Sequence, residues 1–307
     1  MERCCSPYHN PWFLVPKEDK GYRLHNAAQM LNTVTIEDVS LPPSAEEYRE
    51  DFAGFPVSSL LDLFSGYDQR VLAEIWRDLT AFQTPLGLLR ITTLRQGYTN
   101  GVHVFDRVMK KILKNQISAK RGKPFIDDIE VKPPTRSLFL DLNGKPIKVV
   151  LGIRRYILEA IVSIEEVMAA IERARQTKLG AKSEFLMEQL KIIGYVSGID
   201  RRTSEETNTQ KITNWPPCID FFDIRAPLEY CVYYRIWIKD FLIIAEHLFR
   251  FRGKDVEFYG LKEQQILMDE LKKALTIALA LNPIDYELEG KMVLSVDSSL
   301  SEWGAIL

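Results

Sequence analysis

Apolar residues return every three or four positions along three stretches of this chain, and each stretch predicts an amphipathic helix. From Tyr156 to Thr177 the stripe is Ile157, Leu158, Ile161, Ile164, Val167, Met168 and Ile171. Lys239 to Arg252 and Leu261 to Leu281 repeat the pattern. Thr203 and Glu206 have the spacing of a capping box and predict a shorter helix that ends near Trp215-Pro216-Pro217. Short apolar runs predict strands at Trp12–Val15, Val57–Leu63, Lys191–Val196 and Met292–Val296. Residues 132–152 are rich in Pro and Gly, with a turn at Asp141-Leu142-Asn143-Gly144, and read as a long connection. Strands and helices follow no regular alternation, which predicts an α+β fold rather than a doubly wound sheet.

Composition narrows the class without altering that picture. The 307 residues are 46% hydrophobic and 27% charged, with 16 Gly and 15 Pro, which is globular usage and allows about two domains. Forty basic and 42 acidic side chains leave a net charge of -2, so any contact with nucleic acid must come from a local patch. No apolar run is long enough to predict a membrane span, and Met1-Glu2-Arg3-Cys4-Cys5 lacks the apolar core of a secretory leader. Cysteines at 4, 5, 218 and 231 do not make a disulfide framework. They read as reduced thiols of an intracellular protein, with cytoplasm and nucleus not distinguished.

The charge is uneven. Arg107, Lys110, Lys111, Lys114, Lys120, Arg121 and Lys123 occur with no carboxylate among them. The first four fall at i, i+3, i+4 and i+7, one helical face, with Val104, Phe105, Val108, Ile112 and Leu113 as the apolar positions. Such a face either meets water or turns toward phosphates.

Common enzyme fingerprints are absent: no GxxxxGK[ST], GxGxxG, HExxH or GxSxG occurs. The histidines at 9, 25, 103 and 247 have no metal-ligand spacing with the cysteines, which argues against zinc. Carboxylates remain. Phe125-Ile126-Asp127-Asp128-Ile129 sets two adjacent anions between strand-forming residues, and Asp62 ends the apolar run Ser59-Leu60-Leu61-Asp62 ahead of a tight turn. The pair alone fits an ordinary turn. Three carboxylates on adjacent strands could hold two divalent cations for in-line phosphoryl transfer.

These segments, about 65 residues apart, resemble the reverse transcriptase of gypsy-type long-terminal-repeat retrotransposons, in wording nearest to fungal elements. The resemblance extends over nearly the whole chain. It is carried by Pro11-Trp12-Phe13-Leu14-Val15-Pro16-Lys17, by Tyr22-Arg23-Leu24 with Leu31-Asn32, and by the Asp62 segment through Gln69. Leu94-Arg95-Gln96-Gly97, Phe125-Ile126-Asp127-Asp128, Ile193-Gly194-Tyr195-Val196-Ser197, Trp215-Pro216-Pro217 and Leu294-Ser295-Val296-Asp297-Ser298-Ser299 follow in the family's order.

The resemblance implies a right-hand polymerase: fingers and palm over residues 1–200, with an antiparallel palm sheet, and a thumb and connection over 201–285. It implies the start of a truncated RNase H domain over 286–307, where Asp297 matches the first nuclease carboxylate. A lone opening strand predicts a loosely ordered Met292–Leu307 and no hydrolysis of RNA. Asp62, Asp127 and Asp128 match the catalytic metal ligands, with Mg²⁺ as the expected cofactor and Mn²⁺ as its substitute. Lys17 and Arg23 match triphosphate-gripping positions, and Tyr67 the ring that screens the sugar 2′ position. Gln96 and Gly97 match the loop against the nascent base pair. Ile193, Gly194 and Tyr195 match the turn that holds the primer end, and the basic face from Arg107 is then expected to meet nucleic acid. The implied partners are an RNA or DNA template with primer, dNTPs, and the protease, RNase H and integrase of an intact element, without a membrane.

Three departures count against activity. Arg95 stands where the family usually has Pro, so the loop before Gln96 loses a φ constraint. Glu18 adds an anion beside the triphosphate position, and the chain begins at the fingers strand. The alternatives are a degenerate, inactive fragment that at most binds nucleic acid and, less well supported, a metal-dependent nuclease.

Overall fold

The computed structural model describes residues 1–16, 21–39, 44–177, 180–200, 202–204, 206–216, 221–235, 238, 241–249, 261–276, 295–298 and 303–306. Strands β1 (Glu2–Arg3), β2 (Trp12–Pro16) and β3 (Tyr22–Asn26) lead into helices α1 (Gln29–Val34) and α2 (Ala45–Phe52). Strand β4 (Ser58–Asp62), helix α3 (Glu74–Arg77) and hairpin strands β5 (Phe82–Thr84) and β6 (Gly87–Arg90) follow. Next come α4 (Gly101–Ile112), α5 (Lys114–Ser118), β7 (Gly122–Phe125), β8 (Asp128–Val131) and the long α6 (Arg155–Arg173). Strands β9 (Glu184–Met187), β10 (Gln189–Ile192), β11 (Tyr195–Gly198) and β12 (Arg202–Ser204) precede helices α7 (Glu206–Thr213), α8 (Phe221–Tyr233), α9 (Phe241–Phe249) and α10 (Leu261–Thr276). Strands β13 (Ser295–Ser298) and β14 (Trp303–Ile306) come last.

The central sheet is antiparallel in the order β7-β8-β4-β9. Antiparallel strands keep one face for the core, and here Leu61, Leu63, Ile129 and Val131 supply it. Helix α6 covers that face because its 3–4 repeat lines up Ile164, Val167, Ala170 and Ile171. Phe105, Met109 and Leu113, on α4 and just past its end, complete the cluster. The contact of α6 with β7 is close: a Cβ on Gly122 would stand 2.9 Å from Val167 Cγ2 and 3.3 Å from the Glu130 carbonyl. Gly122→Ala should therefore cost about 1–3 kcal/mol by overpacking. In chemical denaturation, Val167→Ala should recover part of that loss in the double mutant. Strict additivity of the two would refute the contact.

A second core forms where Ile212, Leu228, Cys231, Ala245, Leu248, Met268, Leu271 and Leu275 of α7–α10 pack around Tyr195 of β11. Among the described residues no helix is long and apolar enough to cross a membrane.

Several expectations need correction. Lys191–Val196 is not one strand: Ile193 and Gly194, at φ 45° and 76°, turn the chain between β10 and β11. Positive φ at both central positions is a type I′ hairpin, which the apolar run conceals. Thr203 does not cap a helix; it lies within β12 opposite Val196, and α7 begins at Glu206. Helix α8 escapes the sequence patterns because Pro227 lies inside it. Of the expected helices over Lys239–Arg252 and Leu261–Leu281, α9 and α10 are described, and the remainder of each range lies outside the described residues. At the C-terminus the opening strand does have a partner: β13 and β14 pair antiparallel, with Asp297 opposite Gly304 and Ser298 opposite Trp303, and the rest of Met292–Leu307 lies outside the described residues. The second strand supplies the hydrogen-bonding partner that a lone strand lacks.

Candidate active site

Asp62 is the last residue of β4 and Asp128 the first of β8, and the two are direct cross-strand partners. Asp127 occupies the two-residue turn between β7 and β8, and its carbonyl accepts from Leu63 N–H at 3.2 Å. Beside it Ile126 is held at φ 57°. A β-branched residue there costs about 1–3 kcal/mol, strain of the kind concentrated at functional sites.

The electrostatics match the crowding. Burial first, then the charges of Asp127 and Asp62, push the Asp128 carboxyl up to about 6. Burial also raises Asp62, with Asp127 adding to the rise and Lys182 opposing it. Like charges directly across an antiparallel pair destabilise the sheet unless a cation intervenes. Among the described residues no three acidic, His or Cys side chains converge as a ready-made metal cage. Carboxylate oxygens are the donors Mg²⁺ takes, one or two at a time, with water and substrate phosphate completing its shell. The donor set fits a hard divalent cation. Lys182, just before β9, was not singled out by any sequence signal.

Tyr67 is buried, its ring stacked on Phe105 with centroids 4.5 Å apart. Gly66 permits this approach, since a Cβ there would meet Phe105 Cζ at 2.9 Å. Burial and the charge of Asp127 push the Tyr67 hydroxyl up to about 12, so the ring stands in the field of that carboxylate.

Gln96 and Gly97 lie exposed in a loop where Gly97 takes φ 95°. Asn32 fastens this loop: its Nδ2 donates to the Gly97 carbonyl at 2.9 Å and its Oδ1 accepts from Thr99 N–H at 3.0 Å. Arg95 does not leave the loop unconstrained, as the missing Pro suggests. Its guanidinium pairs with Asp68 at 2.9 Å, and Leu94 N–H donates to the Arg70 carbonyl at 2.8 Å. The loop is thereby tied to the turn that carries Tyr67.

Arg23 is exposed on β3 opposite Val15, and Lys17 and Glu18 lie outside the described residues. Four of the seven cations between Arg107 and Lys123 have acidic partners within the protein. Arg107 pairs with Asp38 at 2.6 Å, Lys110 with Asp106 at 2.7 Å, Arg121 with Glu166 at 3.4 Å, and Lys123 with Glu47 and Asp51. Of the four positions expected on one helical face, Arg107, Lys110 and Lys111 lie on α4 and Lys114 opens α5. Lys111, Lys114 and Lys120 remain exposed. Ile193, Gly194 and Tyr195 form the β10–β11 turn, with Tyr195 fully buried. The backbone of Asp297 lies in β13, and its side chain is outside the described residues.

No family model matches the chain. Its homologues are Pol polyproteins of gypsy and other long-terminal-repeat retrotransposons. It is 28% identical over 248 residues to the retrovirus-related Pol polyprotein from transposon opus of Drosophila melanogaster, covering 79% of this chain and 22% of that protein. The match to the polyprotein from transposon 412 of the same organism is 25% over 314 residues, covering 100% and 23%. The chain thus spans about a quarter or less of these relatives. Among solved structures, the foamy viral protease-reverse transcriptase in complex with dsDNA superimposes with a TM-score of 0.78 at 19% identity, covering 97% of this chain and 58% of that one. The same enzyme in complex with an RNA/DNA hybrid gives 0.74 at 19%, covering 93% and 36%. The fold is the α+β polymerase fold.

Proposed function

We propose, from the homology of this chain to retrotransposon Pol polyproteins, that it is their reverse transcriptase segment and catalyses RNA-directed DNA synthesis. The observation that carries the reading is the pairing of Asp62 against Asp128, with Asp127 in the adjoining turn, in the central sheet of a polymerase-like fold. Residues 1–200 then serve as fingers and palm, 201–285 as thumb and connection, and 286–307 as the start of an RNase H-like unit that includes Asp297.

Divalent cations, Mg²⁺ or Mn²⁺, held by Asp62, Asp127 and Asp128 would supply charge neutralisation at the α-phosphate and activation of the primer 3′-OH. The protein contributes position. Arg23, with Lys17, offers donors to the triphosphate, Arg being suited to bidentate phosphate contact. Gln96 and Gly97 back the nascent base pair from a loop that Asn32 and Arg95 hold in place. Tyr67 walls the sugar, and Ile193-Gly194-Tyr195 support the primer end. The Arg95–Asp68 pair weakens the case for a degenerate fragment, because it tethers the loop to the Tyr67 turn by a different means from the φ constraint of Pro.

The direct test is extension of a DNA primer on an RNA template with four dNTPs and Mg²⁺. Extension should fall as pH drops through about 6, where Asp128 takes up a proton. The sign for stability is opposite. A carboxyl raised from 3.8 to about 6 favours the metal-free fold below that range and loses this contribution as pH rises through it. Mg²⁺ should therefore raise the melting temperature more above that range than below it. No extension with either cation under any of these conditions overturns the reading.

A further inference from the structure

The turn between β10 and β11 leaves two backbone carbonyls, those of Ile193 and Gly194, outside the strand ladder, since the pairing ends at Ile192 with Tyr195. In an exposed hairpin water would take them. Here side chains from two distant helices do. Arg49 of α2 donates from Nη2 to the Ile193 carbonyl at 2.9 Å, across 144 residues of sequence. Tyr233, at the end of α8, donates its hydroxyl to the same carbonyl at 2.6 Å and itself accepts from Arg49. The Tyr234 hydroxyl reaches the Gly194 carbonyl at 3.4 Å.

Arg49 is 1% exposed, and its guanidinium lies over the Tyr195 ring at 3.7 Å and the Tyr233 ring at 4.9 Å. Burying a cation is costly, and the two ring faces and the shared carbonyl offset that cost. The neighbouring residue points to the other half of the site. Tyr48 donates its hydroxyl to the Lys123 carbonyl at 3.0 Å and accepts from Glu130 N–H at 3.2 Å, two residues beyond Asp128. Helix α2 is further pinned by Glu50, which pairs with Arg202 of β12 at 2.6 Å.

We propose that α2 is a spacer between the carboxylate strands and the β10–β11 turn, and that Arg49 is its positioning residue. From one side of the helix Tyr48 ties it to β7 and β8. From another side Arg49, with Tyr233, ties it to the Ile193 carbonyl. The helix thereby sets where the turn stands relative to Asp62, Asp127 and Asp128. This rests on the reading that the turn holds the primer end, and the geometry assigns Arg49 a role through that turn rather than contact with substrate.

The test uses the full chain with Tyr233→Phe, which keeps the ring and removes one donor, and Arg49→Lys, which keeps the cation and removes the fork. Arg155→Ala, at a partly exposed ion pair with Glu159 within α6, serves as control. Each of the first two variants should lower kcat for primer extension about 3- to 10-fold, the scale of one lost hydrogen bond, with KM for dNTP nearly unchanged. Extension from a mismatched primer end should rise relative to a matched one. Hydrogen exchange of a peptide spanning 193–197, measured without nucleic acid, should quicken by a similar factor while a β4 peptide and the control do not change. Unaltered exchange at 193–197 in both variants overturns the proposal, whether or not the chain extends primers. If the wild-type chain extends nothing but exchange quickens, the spacer stands and the polymerase reading falls.

Discussion

Asp127→Asn should reduce primer extension by roughly 10²–10³-fold or more, the loss that follows removal of one preorganised electrostatic contact. Asp62→Asn and Asp128→Asn should do the same. Each removes an anion from a cross-strand cluster in which the others remain. The cluster also makes a second, opposite expectation. Without metal, Asp128 is pushed up by burial and by both neighbours, so its charge works against the fold. Asp128→Asn should therefore raise the melting temperature of the metal-free chain above pH 6 while abolishing the Mg²⁺-dependent rise. Lost activity with gained stability is the signature of a site selected for chemistry. Structural carboxylates would lose both. Near-normal extension by Asp127→Asn would remove the metal assignment.

Tyr67→Ala should erode selection of deoxynucleotides by roughly 2–4 kcal/mol, because a steric clash is a device for rejecting the wrong substrate. The structure adds a complication that sequence does not announce. Tyr67 is stacked on Phe105 within the core, so truncation should also cost about 3–5 kcal/mol of stability, the range for large aromatic deletions. The measurement is the ratio of kcat/KM for ribo- and deoxynucleotides. That ratio is independent of the fraction of folded protein, which enters both values equally. Tyr67→Val keeps more of the volume and should show a smaller change in the same direction. An unchanged ratio in both variants makes Tyr67 a core aromatic and nothing more.

The sequence by itself determined the parts that depend on short-range spacing. The period of Ile164, Val167 and Ile171 places a helix over a sheet, and α6 is there. The apolar run ending at Asp62 and the Phe125–Ile129 segment put two carboxylates on neighbouring strands and a third in the adjoining turn, because strand and turn chemistry are local. Tertiary structure alone decided which charges are free. Arg107, Arg121 and Lys123 belong to a bare basic run in sequence, yet each pairs in the fold with a carboxylate far along the chain. Arg95 is likewise a defect in sequence and an ion pair with Asp68 in space. Arg49 sits in a run with no chemical signal, and only folding brings it under the Ile193 carbonyl. The physical reason is the same in each case. Hydrophobic periodicity is written within a few residues, whereas the partner of a charge or of an orphan carbonyl is chosen by packing across tens to hundreds of residues.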